Sequence, residues 1–372
     1  MLNSLVLLRR LLFLVLLGAL PAAANAARPD SVDAFMQRAM RRHHIPGAAV
    51  AVVRGGQVLK LQAYGSGSLT WQAPATPHTA FQLASATKPM TGTLLAVLAQ
   101  AGRLRLDAPI GTYLDSVPAA WQSITVRELA AHQSGIGLVP LETTRDTRHA
   151  LRTAAARPLE YAPGTKDFYV STDYALLQAI VERVTGQPFA EALRHWVLEP
   201  LRMTNTGFNH AQDGGLIRTA RVLPQASEVY SWDAAAGAYR LSDMRFPDWF
   251  AAAGGIYASV QDLANWLVGL DRHTLLKPEY EALLWAPARL RNQQPTHFGL
   301  GMVHETYQGH QLVGHSGGPA LADIVRFADP NQAPLSVVVL TNTRGGFPPY
   351  LAKAVAHYFV PGLQQDRPEN YH

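Results

Sequence analysis

The chain has 372 residues, 48% of them hydrophobic, a formal net charge of +5 and no cysteine. A chain of this length can bury a sizeable core; without cysteine it has neither a disulfide framework nor a lipid-attachment thiol, so its stability rests on that core. Lys and Arg are scattered among Asp and Glu with no basic run of five, which sets nucleic acid aside as a partner.

Residues 1–26 read as a signal peptide: Arg9 and Arg10 lead into the apolar run Leu11 to Leu20, and Ala24-Asn25-Ala26 is a small-x-small cleavage site. The run is shorter than the roughly 20 residues of a membrane span, so no stable span is expected after cleavage. The mature chain, 27–372, is expected to be exported, periplasmic or secreted, with an uncleaved anchor as the alternative. Next, "DSVDAFMQRAMRRHH" carries Val32, Phe35, Met36, Ala39 and Met40 on one face and predicts an amphipathic helix capped by Asp30 or Ser31. "AAVAVV" and "QVLKLQAYG" around "RGG" predict a hairpin. From about residue 85 to 290 the pattern is mostly helical, with a long loop expected from His210 to Asp248 as the wall of a site. Strands return in "FGLGMVHETY" and "HQLVGH" around Gly309, then in "DIVRFA" and "LSVVVLTN" around "DPNQAP". A last helix is expected in "PYLAKAVAHYFV". The implied class is α+β: an antiparallel sheet built from both chain ends, flanked by terminal helices, with a mostly helical region inserted.

Two serines compete as nucleophile. "GHSGG", 314–318, spells Gly-x-Ser-x-Gly, but a nucleophile elbow needs a helix after its serine and then an acid and a histidine. The residues after Gly318 show a hairpin pattern, and Asp323 comes too soon after Ser316 to serve easily as its acid. "SATK", 85–88, opens a helical pattern that puts Lys88 one turn from Ser85 on the same face. A partly desolvated amine there can take the hydroxyl proton. Pro89 would clash with the carbonyl of residue 85 in a helix interior, which keeps Ser85 in the opening turn, near free N–H groups and the positive end of the dipole. Alone, Ser-x-x-Lys is a weak pattern.

It has company. Ser85-x-x-Lys88, Tyr169-x-Ser171 and His315-Ser316-Gly317, in that order, resemble the motifs of the serine β-lactamase and penicillin-binding protein superfamily. The resemblance is strongest to its class C β-lactamase-related branch, which includes D-Ala-D-Ala carboxypeptidases, D-aminopeptidases and family VIII esterases. "ITVRELAAHQSGI", "LEPLRMTNTGF" and "AAGGIYASVQDLANW" match as well. The resemblance covers nearly all of 27–372. It implies one β-lactamase/transpeptidase-like domain, with a sheet part at about 27–80 and 296–372 and a helical part at about 81–295.

It further implies that Ser85 is acylated while Lys88 manages its proton. The Tyr169 phenol, lowered by nearby cations, would serve the leaving group and the deacylating water. The oxyanion would sit on the backbone N–H groups of Ser85 and Gly318. Ser171, His315, Ser316 and Gly317 would bind substrate, His315 standing where a lysine would meet a carboxylate. Two departures matter: Ser171 replaces the usual Asn, which puts recognition of a substrate amide in doubt, and His315 replaces Lys, which argues against an efficient β-lactamase. The expected activity is that of an acyl-enzyme serine hydrolase on a small ester, a lactam or a D-amino-acid peptide, without metal or organic cofactor. The alternative is a penicillin- or peptide-binding relative that acylates and hardly turns over. Nothing in the sequence reads out an oligomeric state.

Other candidates carry less. "HETYQGH" misspaces the zinc signature His-Glu-x-x-His. His43 and His44 end a helix, and Asp107 and Asp262 suit capping or bracing. Tyr230, Trp232, Phe246, Trp249 and Phe250 could line an acyl pocket, although most are expected in the core.

Overall fold

The computed structural model describes residues 30–365 apart from 116, 142–145, 210, 215–216, 221, 243–245, 319–321, 329–331 and 345–349. The expected signal peptide lies outside the described residues. Helix α1, Ser31–Arg42, begins at Asp30, whose carboxylate accepts from Asp33 N at 2.9 Å, and buries Val32, Phe35, Met36 and Ala39. Strands β1, Gly47–Arg54, and β2, Gln57–Ser68, turn at Gly55 and Gly56 (φ +53° and +74°), the left-handed pair that a two-residue hairpin requires. The short β3, Ala73–Pro74, and β4, Ala80–Gln82, lead to a 3-10 turn at Ala84–Thr87 and then α2, Lys88–Gln100. Helices α3 (Val126–Ala130), α4 (Thr147–Ala155), α5 (Thr172–Thr185) and α6 (Phe189–Leu193) come after it. After β5, Gly207–Phe208, come two hairpins, β6 (Ala211–Gly214) with β7 (Ile217–Ala220) and β8 (Val229–Asp233) with β9 (Ala238–Ser242). Next are α7 (Ala251–Gly254), β10 (Ile256–Ser259), α8 (Val260–Asp271) and α9 (Pro278–Trp285). The chain closes with β11 (Pro287–Arg289), β12 (Pro295–Gly299), β13 (Val303–Tyr307), β14 (His310–Gly317), β15 (Ala322–Ala328), β16 (Leu335–Thr341) and α10 (Leu351–Ala356).

Nine strands form one sheet in the order β11-β12-β13-β14-β15-β16-β1-β2-β3. The two chain ends meet at its centre, where β1 pairs antiparallel with β16 from Ala48↔Thr341 to Arg54↔Leu335. Both faces of these strands are covered, which is why "GAAVAVV" and "LSVVVLT" are apolar without alternation. Ala49, Ala51 and Val53 join the core beneath the helical region; Ala48, Val50 and Val52 join the one made with α1 and α10. Helix α2 is buried on every side from Lys88 to Leu98, as befits a central helix.

The expected α+β class and two-ended sheet hold, and three details differ. The helix begins at Lys88 rather than Ser85, since the serine belongs to the tighter 3-10 turn that precedes Pro89. The expected 210–248 loop contains the two hairpins; in the second, Asp233 accepts from Ala235 N and Ala236 N, and Gly237 takes φ +58°, a turn signal inside "SWDAAAGAY". The last helix stops at Ala356, well short of Val360.

Candidate active site

The turn that carries Ser85 is locally strained and firmly moored. Ala84 takes φ +46°, a left-handed conformation costly for a residue with a Cβ, immediately before Ser85. Ala86 N donates to Leu83 O at 3.1 Å and Lys88 N to Ser85 O, so Ser85 and Lys88 lie one turn apart. Thr91 Oγ1 donates to Ala252 O at 2.7 Å and Ile256 N to Thr87 Oγ1 at 3.2 Å, fixing the start of α2 against α7 and β10.

Lys88 is 0% exposed. Its Nζ donates to Ala253 O at 2.9 Å and lies 4.7 Å from the centre of the Tyr169 ring and 5.1 Å from that of Tyr174. Burial pushes the amine down to about 7, against an upward pull from Asp173. A lysine so placed is an uncharged base through part of the neutral range.

Tyr169 precedes α5, and its ring lies over Lys88 Nζ, beside the turn that carries Ser85. Desolvation by the neighbouring rings pushes its phenol up to about 12, with the Ser85 side chain opposing, although 38% of the residue is open to solvent. This corrects the expectation of a phenol lowered by cations. Lys88 is held at about 7, and burial holds both neighbouring imidazoles, His132 and His315, far below the usual histidine range, so no permanent cation offsets the desolvation of the phenol. Around the Tyr169 ring stand His132 at 4.6 Å, His315 at 5.9 Å and Phe298 at 5.9 Å between centroids.

Strand β14 brings up the opposite wall. A Cβ on Gly317 would come within 1.8 Å of Leu83 O, so only glycine lets this strand lie against the nucleophile turn. His315 is 7% exposed, and its Nδ1–H donates to Ser316 O at 2.7 Å, leaving Nε2 as a buried acceptor without a hydrogen-bond partner among the described residues. Burial, then the charge of Lys88, push the imidazole down to about 3. The expected carboxylate-binding cation is therefore a neutral ring. Val313 belongs to the core beneath the helical region and Leu312 to the other, so alternation gives His315 and Gly317 the first face and Ser316 the second, where its cross-strand neighbour is Asp323. Gly318 comes just after the strand end at an exposed position. Ser171 is the N-cap residue of α5, half-buried, with no capping bond from its side chain.

The site thus gathers Ser85, Lys88, Tyr169 and His315 with Gly317, and adds residues that sequence reasoning passed over. Asp173, 0% exposed, accepts from Ser134 Oγ at 2.5 Å through Oδ1, and its Oδ2 lies 3.3 Å from His132 Nδ1. His132, at φ +56°, also receives Val170 N on Nδ1 at 3.4 Å. His132 and Ser134 lie within "ITVRELAAHQSGI", a stretch that carries only family likeness, and no spacing rule ties them to Asp173.

The remaining candidates sort out as supports. Asp107 pairs with Arg127 at 2.6 Å, and Asp262 accepts from Asn205 N at 2.7 Å and Thr206 Oγ1 at 2.8 Å. "HETYQGH" is a hairpin of β13 and β14, and His44 stacks on Trp232 at 3.9 Å. Tyr230, Trp249 and Phe250 are buried, as core packing predicts. Among the described residues no group of three or more His, Asp or Glu could hold a metal ion, and no helix is long and apolar enough to cross a membrane.

An antiparallel sheet drawn from both chain ends, with helices over it, is the β-lactamase/transpeptidase-like architecture, and solved structures bear this out. The penicillin-binding protein homologue from Pyrococcus abyssi superposes with a TM-score of 0.70 over 91% of this chain and 78% of that one, at 25% identity. A D-stereospecific amidohydrolase from Streptomyces shares the fold at 22% identity, with a TM-score of 0.63 over 82% of this chain and 92% of that one. The chain belongs to the Beta-lactamase family, whose model matches residues 32–358. Among curated proteins, Esterase EstB of Burkholderia gladioli is 33% identical in an alignment of 216 positions that covers 52% of this chain and 54% of that esterase. The match thus takes in about half of that relative's length.

Proposed function

We propose that this protein is an exported serine hydrolase that works through a covalent acyl-enzyme on Ser85 and acts on small uncharged esters, with D-amino-acid amides as the next class. The observation that carries the reading is Ser85 set one turn before a fully buried Lys88 whose Nζ lies 4.7 Å from the centre of the Tyr169 ring. Lys88 takes the Ser85 proton, the hydroxyl oxygen attacks the acyl carbon, and the neutral Tyr169 O–H hands a proton to the leaving group. The backbone N–H groups of Ser85 and Gly318 receive the oxyanion. A neutral His315 favours an uncharged substrate over a free carboxylate, and the similarity to an esterase supports the same choice. Export rests on the leader pattern of residues 1–26.

The test is labelling with a fluorophosphonate probe, then turnover of short-chain p-nitrophenyl esters, nitrocefin and a D-Ala-D-Ala peptide. Label on Ser85, lost in Ser85→Ala and retained in Ser316→Ala, is expected, with the esters turned over fastest. Label on Ser316 would sink the assignment. The raised Tyr169 phenol favours one second reading, an acylating protein that deacylates slowly. A stoichiometric burst without a steady state would select it.

A further inference from the structure

Tyr169 is 38% exposed, so packing alone does not hold its ring 4.7 Å from Lys88 Nζ. Three pieces of backbone meet at this place. The first is the start of α2, which carries Lys88. The second is the turn from β12 to β13, seated directly on α2. A Cβ on Gly301 (φ +81°) would come within 2.3 Å of Lys88 O, and one on Gly92 within 2.0 Å of Leu300 O. The third is the loop 164–170 that carries Tyr169, tied on one side by Phe168 N donating to His132 O at 2.8 Å. Asp167 joins this third piece to the second. Its Oδ2 accepts from His297 N on β12 at 2.8 Å and lies 3.3 Å from His297 Nδ1. The β11–β12 register is irregular between Pro287 and Arg289, whose partners Gly299 and Pro295 stand on either side of His297. There the His297 N–H is given to the carboxyl of Asp167. The imidazole is 82% exposed, where an ion pair contributes little, so the bond from the backbone N–H is the tie that counts. One residue on, the Phe298 ring stands 5.9 Å from that of Tyr169 and 4.9 Å from that of His132.

We propose that Asp167 is a positioning residue for Tyr169: by tying the Tyr169 loop to β12, it sets where the phenol stands relative to Lys88 and Ser85. The inference rests on the Ser85 acyl-enzyme reading with Tyr169 as proton donor. It goes beyond that reading by giving part of the proton transfer to a residue bonded to β12 rather than to the nucleophile. In the step concerned, the bond from the acyl carbon to the leaving oxygen breaks, and that oxygen takes the Tyr169 proton. The phenolate regains a proton from the Lys88 ammonium, which had taken it from Ser85. A displaced phenol slows this step and leaves the attack by Ser85 nearly unchanged.

The experiment compares kcat/KM for an ethyl ester and a p-nitrophenyl ester of the same acid, on the full chain. Ethoxide needs a proton in order to leave and p-nitrophenolate does not, so only the first reports on the phenol. Asp167→Ala is expected to lose about tenfold on the ethyl ester and at most about twofold on the p-nitrophenyl ester. Asp167→Asn keeps an acceptor for His297 N and should stay within about twofold of wild type on both. In a Tyr169→Phe background, Asp167→Ala should cost no more than about twofold on either ester. If Asp167→Ala fails to fold, Asp167→Glu, whose acceptor lies one bond further out, gives the same selective loss at about threefold. A merely structural residue would slow both esters alike. Any result in a folded variant without the selective loss on the ethyl ester overturns the inference, as does a tenfold loss that persists in Tyr169→Phe. Fluorophosphonate label away from Ser85 in the wild-type protein would instead overturn the acyl-enzyme reading on which it rests.

Discussion

Two buried lysines, one on each side of the sheet, make an instructive pair. Lys353, 5% exposed at α10, forms an ion pair with Glu305 at 2.7 Å and lies 5.1 Å from the Tyr307 ring centre and 5.0 Å from that of Tyr350. Lys88, 0% exposed at α2, also lies beside two tyrosine rings, yet its Nζ hydrogen-bonds a carbonyl oxygen and not a carboxylate. Each has a buried aspartate nearby. Asp323 accepts from Ala352 N at 3.1 Å and so fastens the start of α10 to β15, whereas Asp173 accepts from the Ser134 hydroxyl. Similar ingredients thus give a staple on one side and, in the function proposed above, a poised base on the other. What separates them is whether the ammonium has a direct counter-ion, since pairing fixes a charge and its lack leaves the proton free to move.

The sharpest way to break this contrast is to exchange the two lysines for methionine. Lys88→Met should cut the Ser85 labelling rate by ~10²–10⁴-fold, the usual loss with a general base, while Lys353→Met should leave it within about twofold. Equal losses in both would erase the distinction. Gly317→Ala comes next, because its Cβ would sit 1.8 Å from Leu83 O and must push β14 off the nucleophile turn. A loss of about 2 kcal/mol or more in urea unfolding is expected, together with most of the labelling, as overpacking against rigid backbone commonly costs about 1–3 kcal/mol.

A smaller effect is a matter of pH. Burial raises the Asp323 carboxyl to about 7, above its unfolded value near 3.8, so the folded protein binds the extra proton more tightly than the unfolded chain. Stability contributed this way is present below about pH 4 and is lost as pH rises towards about 7. Asp323→Asn should therefore gain Tm relative to wild type at about pH 7.5 and show no such gain at about pH 4; a constant offset at both would refute it. The smallest change is in Lys353→Met itself. Glu305 is 43% exposed at its side chain and can turn to water, so a Tm loss of only a few degrees is expected by calorimetry.

Much of this was legible in the sequence because it is local. Ser85 and Lys88 announce themselves through a three-residue spacing and through Pro89, which restricts where the serine can lie. The unbroken apolar runs of β1 and β16 mark strands covered on both faces. Strands of two or four residues, such as β5 and β10, carry too few side chains to display a period, so the small β4-β10-β5 sheet went unread. Tyr169 and His315 are reached through ordered motifs, but their charge states are not, because neighbours brought in from distant parts of the chain set those. Asp173 and His132 form a contact between single residues 41 positions apart, for which a sequence offers no local mark.

The close seating of β14 on the Ser85 turn has a consequence in time. The two pieces are separated by more than two hundred residues, and His315 belongs to a strand seated between β13 and β15. Contacts of such long range form late, after most of the chain's entropy has been surrendered. On the ribosome, then, the Ser85 turn is made early but lacks its β14 wall until that strand has emerged more than two hundred residues later.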